Sequence, residues 1–354
     1  MSSVDDYLGP AERRFFGKGF RRVEYGVRDV RVAAAADGGL RAEAVVGVRY
    51  PADWSKKAAG TDLRPHFSTV DGLVLAVQLA ELCLAGPGGD TSVAARGRLR
   101  KVRITAGGTP QEELDRLPAR ASRRRVEPYE GGAAGEAYGA AGGLSVSVFD
   151  CAIGTMRVQC EIVHPAFTPP VGDMSFAHPS ALLGPDTGRY FGTGFTTRRQ
   201  YVRDVEVDHE QLSATARLSV VAEAADGSES APGRPSAGLG AAHEPAVSMV
   251  DAFVTALQLA QVMLYEHDGV NRKDSNTLWM RQTVMTAPEP PLPHGAEAAP
   301  VTTRLADLGL LRLGGGLWRT LDVVAEMAGI HVRSAVTHRL PESYGDPTAH
   351  SSAQ

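Results

Sequence analysis

Two aspartates, Asp71 and Asp251, stand at equivalent places in a chain of 354 residues. Each follows a serine by three residues, Ser68 and Ser248, and each opens a long apolar run. A carboxylate so placed can do one of two things. It can close a capping box with its serine at a helix N-terminus, where the helix dipole also favours it. Alternatively, with its pKa raised by burial, it can serve as a general base beside the free backbone N–H groups of that terminus. Those N–H groups would stabilise an oxyanion that forms beside them. A glutamine follows each aspartate by seven residues, Gln78 and Gln258. Positions seven apart on a helix lie within about 20° of each other. The resulting polar stripe, with Glu81 added in the first run, fits a cleft in which the amides orient substrate. A cap explains the aspartates but not the glutamines, and a solvent-facing edge is the third explanation. His66 lies just ahead of the first run and is a candidate acid–base group. Ala246 stands at its place before the second run, so only one of the two sites has a histidine, which can equally be a surface loop residue.

Two pairs of arginines recur. Arg14 and Arg189 each precede an aromatic–glycine elbow, Phe16-Gly-Lys-Gly-Phe20 and Phe191-Gly-Thr-Gly-Phe195. Arg100 and Arg281 occupy matching strand positions. Each pair suits either a bound anion on the substrate or a structural ion pair. The elbows lack the spacing of a nucleotide loop and read as tight turns between core aromatics. Trp54-Ser-Lys56-Lys57 reads as an exposed loop or as a dock for an acidic carrier or phosphate. Arg123–Arg125 reads as a solvated turn or a phosphate contact. No nucleophile elbow, zinc-protease helix or phosphate loop is present, and no His/Cys/Asp cluster has ligand spacing. No metal and no cofactor is expected.

The elements that must position these groups come in two sets. Residues 8–32 and 183–207 agree at 13 of 25 positions with an offset of 175. The segments 68–81 and 248–261 agree at an offset of 180, and Arg100 meets Arg281 at 181. His164 then aligns with His338. Such continuity means two copies of one unit rather than a solenoid of short repeats: residues 1–175, residues 176–345, and a polar tail at 346–354. Residues 120–143, 224–244 and 287–300 read as inserted loops on their Gly, Ala, Ser and Pro content.

Alternation predicts strands at 23–34, 40–50, 99–105, 144–151 and 156–164, and in the second unit at 200–208, 212–222, 278–285, 321–327 and 330–338. One helix per unit is predicted, over 69–85 and 249–266. Both are apolar nearly all round, which is the mark of a buried helix. One buried helix wrapped by an antiparallel sheet is the hotdog arrangement. Two in one chain make a double hotdog of the α+β class.

Composition bounds the rest. Hydrophobic residues are 43% and charged residues 22%, as in ordinary globular proteins. A net charge of −4 gives no electrostatic case for nucleic acid. No run approaches the ~20 apolar residues of a membrane helix, and the N-terminus does not read as a secretory signal. Three cysteines without ligand spacing point to a reducing cytoplasm. Two units supply their own pseudo-dimer, so a monomer is feasible and a homodimer remains open.

The segments LGPAERRFFGKGFRR, PADWSKK and PHFSTVDGLVLAVQLAE resemble the AvrD (avirulence protein D) family, over most of the chain. The resemblance implies an enzyme that joins a 3-oxoacyl chain to a keto-sugar such as xylulose, giving syringolide-like lactones. It implies an acyl carrier protein or acyl-CoA as donor and a small sugar or polyol as acceptor. The chemistry is similar to that of A-factor-type butyrolactone synthases. The helix also looks like that of double-hotdog dehydratases, and Pro65…Asp71 and Pro245…Asp251 match at the aspartate. Here the glutamine lies seven residues on rather than four, and the His-x-x-x-Gly-x-x-x-x-Pro partner motif is missing. Three readings therefore stand: a condensing acyltransferase of secondary metabolism, an acyl-thioester dehydratase or hydratase, and a binding module without catalysis.

Overall fold

A computed structural model describes residues 2–54, 64–130, 143–224, 226–270, 275, 278–290, 298–341 and 344. Lys56 and Lys57, the Ala/Gly run after residue 130 and the tail 346–354 lie outside them. Each unit opens with a hairpin, β1 (Glu24–Ala34) and β2 (Leu40–Arg49) in the first. A central helix, Thr69–Ala85, follows. Four strands come next, where the sequence suggests three: β3 (Arg98–Thr105), β4 (Leu117–Pro128), β5 (Leu144–Ile153) and β6 (Met156–Pro165). A short β7 (Gly172–Phe176) returns to pair with β1.

The second unit repeats this plan. Its strands are β8 (Arg198–Asp208), β9 (Ser213–Glu223), the two-residue β10 (Glu229–Ser230), β11 (Leu278–Thr286), β12 (Ala299–Leu313), β13 (Gly316–Met327) and β14 (Ile330–Arg339). Its central helix is Met249–Asp268. The fourteen strands form one antiparallel sheet. In the first half the order is β1-β2-β4-β5-β6-β3, and in the second β8-β9-β12-β13-β14-β11. The halves join where β3 pairs β11, Thr283 opposite Ile104.

Two readings need correction. Residues 120–128 are not inserted loop, because β4 runs through them and Arg123 donates to the carbonyl of Gly38. Likewise Ala299 and Pro300 already belong to β12. Both strands escaped notice because their exposed faces carry runs of charge or small residues that hide the alternation.

The duplicated core explains most of the repeated sequence. Every residue of the first central helix is buried. In the elbows, a Cβ on Gly17 would collide with the backbone of Ala11, and one on Gly192 with that of Asp186. Asp29 and Asp204 both sit at positive φ, 55° and 54°, where β1 and β8 bulge. Aspartate tolerates that conformation better than most residues. The fold is a double hotdog, a continuous sheet wrapped round two buried helices.

Candidate active site

The two helix ends are built from the same cap and finished differently. Ser68 accepts from the backbone N–H of Asp71 (3.2 Å), and the Ser68 N–H donates to the Asp71 carboxyl (2.7 Å). Ser248 and Asp251 do the same at 3.1 and 2.9 Å. The capping box expected from sequence is thus present in both units.

Around Asp71 the cap is enclosed by tyrosines. Tyr25 donates to one carboxyl oxygen at 2.8 Å, and Tyr50 bonds the other. Tyr50 also reaches the carbonyl of His66 at 2.9 Å. One phenolic hydrogen cannot serve both acceptors. A protonated Asp71 that donates to the Tyr50 oxygen satisfies all of them. The electrostatics agree: burial raises the Asp71 pKa above the usual carboxylate range, against the lowering effect of its hydrogen bonds.

Around Asp251 the surroundings are charged. Arg198 donates to it at 2.7 Å, and Gln200 at 2.7 Å. Arg198 also holds the Ala246 carbonyl (2.6 Å) and pairs with Glu244 (3.3 Å). Burial pushes the Asp251 pKa up, but the Arg198 charge and the hydrogen bonds outweigh it, and the net shift is downward. Asp251 is therefore an ion-paired carboxylate. At the 175 offset, Arg198 replaces Val23 and Gln200 replaces Tyr25.

A pocket of about 550 Å³ opens against the first helix end. Ser68 and Thr69 are on its wall, so the first-turn N–H groups that no helix carbonyl can reach lie beside it. His66 is on the wall too, stacked on Trp279 (ring centroids 5.4 Å apart, planes 6° apart) and edge-on to Trp54 at 6.1 Å. Trp54, Trp279 and Trp318, all three tryptophans of the chain, line this pocket. Phe15, Phe16, Leu311 and Leu313 add apolar surface, and Arg281 adds a cation.

The second helix end is finished differently. Tyr190 stands where the first unit has Phe15, and its hydroxyl bonds Ser248. The Arg198 guanidinium lies over the Tyr190 ring at 5.4 Å. Arg98 stands at the place of Trp279, and it donates to the carbonyls of Ala287 (2.8 Å), Pro288 (2.8 Å) and Glu289 (3.2 Å).

Of the residues singled out from sequence, His66, Ser68, Arg14 and Arg281 meet in the pocket. Asp71 sits behind Ser68, fully buried and without a face on the pocket. The polar stripe goes elsewhere. Arg14 donates to Gln258 at 2.7 Å, and Arg189 to Glu81 at 2.8 Å, so the elbow of each unit clasps the helix of the other. Glu81 also accepts from the Leu239 N–H at 2.6 Å, and Gln78 donates to the Phe191 carbonyl. Gln78, Glu81 and Gln258 thus tie the two units together, while Gln261 of the second helix lines the pocket. Arg100 lies over the Tyr129 ring, 5.7 Å away. Trp279, Trp318, Tyr25, Tyr50 and Arg198 escaped the sequence reading. The signal that marks three of them is disagreement between the copies, at Trp279/Arg98, Tyr25/Gln200 and Val23/Arg198, and Phe15/Tyr190 differs in the same way.

A duplicated sheet wrapped round two buried helices defines a double-hotdog protein, with a pocket at its first helix end. Residues 1–341 match the family model described as Pseudomonas avirulence D protein (AvrD), and the chain belongs to that family. A search of curated proteins gives no match. Among solved structures, the chain is similar to a double-hotdog protein of Mycobacterium tuberculosis described as essential for bacterial survival during infection. The identity is 11%, the coverage 78% of this chain and 82% of that one, and the TM-score 0.42. It is also similar to the pyran synthase domain from module nine of the sorangicin pathway (14%, 89% and 98%, TM-score 0.36). A third similarity is to the dehydratase domain from the CurJ module of curacin polyketide synthase (8%, 87% and 94%, TM-score 0.32). No described helix is long and apolar enough to cross a membrane.

Proposed function

We propose that the pocket at the first helix end transfers a 3-oxoacyl group from a carrier-protein or coenzyme A thioester to a hydroxyl of a small keto-sugar or polyol. Membership of the AvrD family supports this reading. The observation that carries it is the joint presence, around one pocket, of a helix N-terminus, an imidazole, a cation and several aromatic rings. The thioester carbonyl lies at the N–H groups of Thr69 and Val70, which stabilise the oxyanion as it forms. The acceptor hydroxyl attacks that carbon, and its proton passes to His66. The tetrahedral intermediate collapses by breaking the carbon–sulfur bond, and His66 returns the proton to the departing thiolate. Arg281 binds the polar end of the acceptor or donor. Asp71 is a positioning residue: through Tyr50 it fixes the carbonyl of His66 and so the loop that carries the imidazole. Asp251, Gln258 and Arg189 are scaffolding for the two-unit frame.

The test is mass spectrometry of metabolites from cells expressing wild type, His66→Ala and His66→Gln. Wild type yields a new acyl-sugar or lactone, and both variants reduce it by roughly 10²–10⁴-fold, the range of general acid–base catalysis. Unchanged product from the variants removes His66 from the chemistry. A product that lacks the acceptor and has lost water points to a dehydratase instead.

A further inference from the structure

The pocket has an apolar extension that the reacting end does not explain. Strand register places its residues. Trp279 pairs with Thr337, and Thr337 with Thr320. Trp318 stands two residues from Thr320 and so shares its face. Leu311 pairs with Trp318, and Leu313 follows on that same side. Trp279, Thr337, Trp318, Leu311 and Leu313 all line the pocket. They form a track from the ring that stacks on His66 to the tip of the β12–β13 hairpin. The track crosses three strand spacings, roughly 14 Å. Beyond Trp279 the polar groups on this face are the hydroxyls of Thr337 and Thr320 and the guanidinium of Arg339, which stands opposite Trp318 at the strand end. At its far end Leu311 and Leu313 are 50% and 61% exposed, while Leu310 on the opposite face is also exposed. Large apolar side chains held open along a cavity wall are typical of a ligand site.

We infer that this track, built entirely by the second unit, binds the alkyl tail of a medium-length acyl ligand and sets its chain length. The inference rests on the acyl-transfer reading above and deepens it. A short acyl group would leave Leu311 and Leu313 in water. A longer one covers them, and each buried methylene tightens binding by roughly fourfold. The second unit, its own helix end crossed by a tyrosine and an arginine, thereby supplies the tail subsite for the first.

The probes are S-acyl pantetheines with butanoyl, hexanoyl, octanoyl and decanoyl chains, titrated against intrinsic fluorescence. All three tryptophans report on the pocket, so the signal is local. The variant is Leu311→Gln/Leu313→Gln, at exposed positions where the fold has little to lose, with circular dichroism as the check. Wild-type affinity should rise with each lengthening. The variant should bind butanoyl pantetheine as wild type does and gain little beyond hexanoyl. Parallel rises in both proteins overturn the tail subsite and leave the transfer reading intact. Length-dependent binding confined to wild type, with no product from any acceptor, keeps the subsite and sinks the transfer reading. Failure of every chain to bind overturns both.

Discussion

The two helix ends share a serine, an aspartate and a capping box, yet one borders a pocket and the other is crossed by a tyrosine and an arginine. At the first, a carboxyl whose pKa burial raises lies under two tyrosines, and a pocket reaches the helix dipole. At the second, a carboxylate is locked to an arginine, and a tyrosine hydroxyl closes on the capping serine. Five exchanges account for this: Val23 to Arg198, Tyr25 to Gln200, Phe15 to Tyr190, His66 to Ala246 and Trp279 to Arg98. The difference teaches that in this duplicated chain identity between copies marks the frame, and divergence marks the site. Arg14 and Arg189 are identical because each clasps the opposite helix.

The largest expected effect comes from breaking the charged end. Arg198→Ala leaves Asp251 as a buried, unpaired carboxylate. Removal of one partner from a buried pair costs about 3–5 kcal/mol. Asp71→Asn removes no charge if the carboxyl is already protonated, and the amide can still donate to Tyr50. Its cost should be about 1 kcal/mol, the scale of one hydrogen bond. Urea denaturation measures both. A loss for Asp71→Asn equal to that for Arg198→Ala would mean that Asp71 is ionised and that the contrast is false.

The same contrast has a pH signature of opposite sign. Asp71 has a raised pKa in the folded state. The native protein therefore holds its proton over the window from the unfolded value, about 3.9, up to the raised one. Across that window stability falls as pH rises. Asp251 has a lowered pKa. Its contribution is present above about 3.9 and is lost as pH falls through the folded value. Asp71→Asn should thus flatten a decline above pH 4, and Asp251→Asn should flatten a loss below it. His164 contributes a third slope. Burial lowers its pKa to about 4, so stability is lost as pH falls from about 6.5 towards 4. That slope is common to both variants and cancels between them. Denaturation midpoints across pH, compared pairwise, give the two signs, and equal signs would erase the distinction.

Much of the frame was legible in the sequence. The offset of 175–181 announced the duplication, and helices apolar on all but a narrow polar stripe announced their burial. The caps followed from Ser and Asp three apart. The two strands β4 and β12 were hidden because arginines at 123–125 and small residues near 300 mask their alternation. The site was legible only in part. His66 stood out because its partner is Ala246, and that asymmetry pointed to the open end. Gln78 and Glu81 looked like a cleft lining because a helix wheel shows where a polar stripe lies and not what faces it. The answer came from the other copy, whose elbow lies a hundred residues away. Trp279 could not be placed from sequence at all, since only the β3–β11 pairing brings the second unit's strand to the first unit's histidine.

The smallest predicted effect tests whether closure at the second end is the work of a single hydroxyl. Tyr190→Phe restores the residue found at Phe15 and removes the contact with Ser248. Ser248 keeps its bond to the Asp251 carboxyl at 2.8 Å, so no buried polar atom is stranded there. The cost should then be only about 0.5–1.5 kcal/mol, the net value of one hydrogen bond. The ring stays in place, and Arg198 still lies above it. The end should therefore remain closed, with no new binding of octanoyl pantetheine. Phe15→Tyr tests the converse in the open unit. There the added hydroxyl can reach Ser68 beside the N–H groups assigned to the oxyanion, and turnover should fall while stability holds. If Phe15→Tyr leaves turnover unchanged, the difference between the ends lies in Arg198 and Arg98, and the tyrosine is an accompaniment to closure rather than its cause.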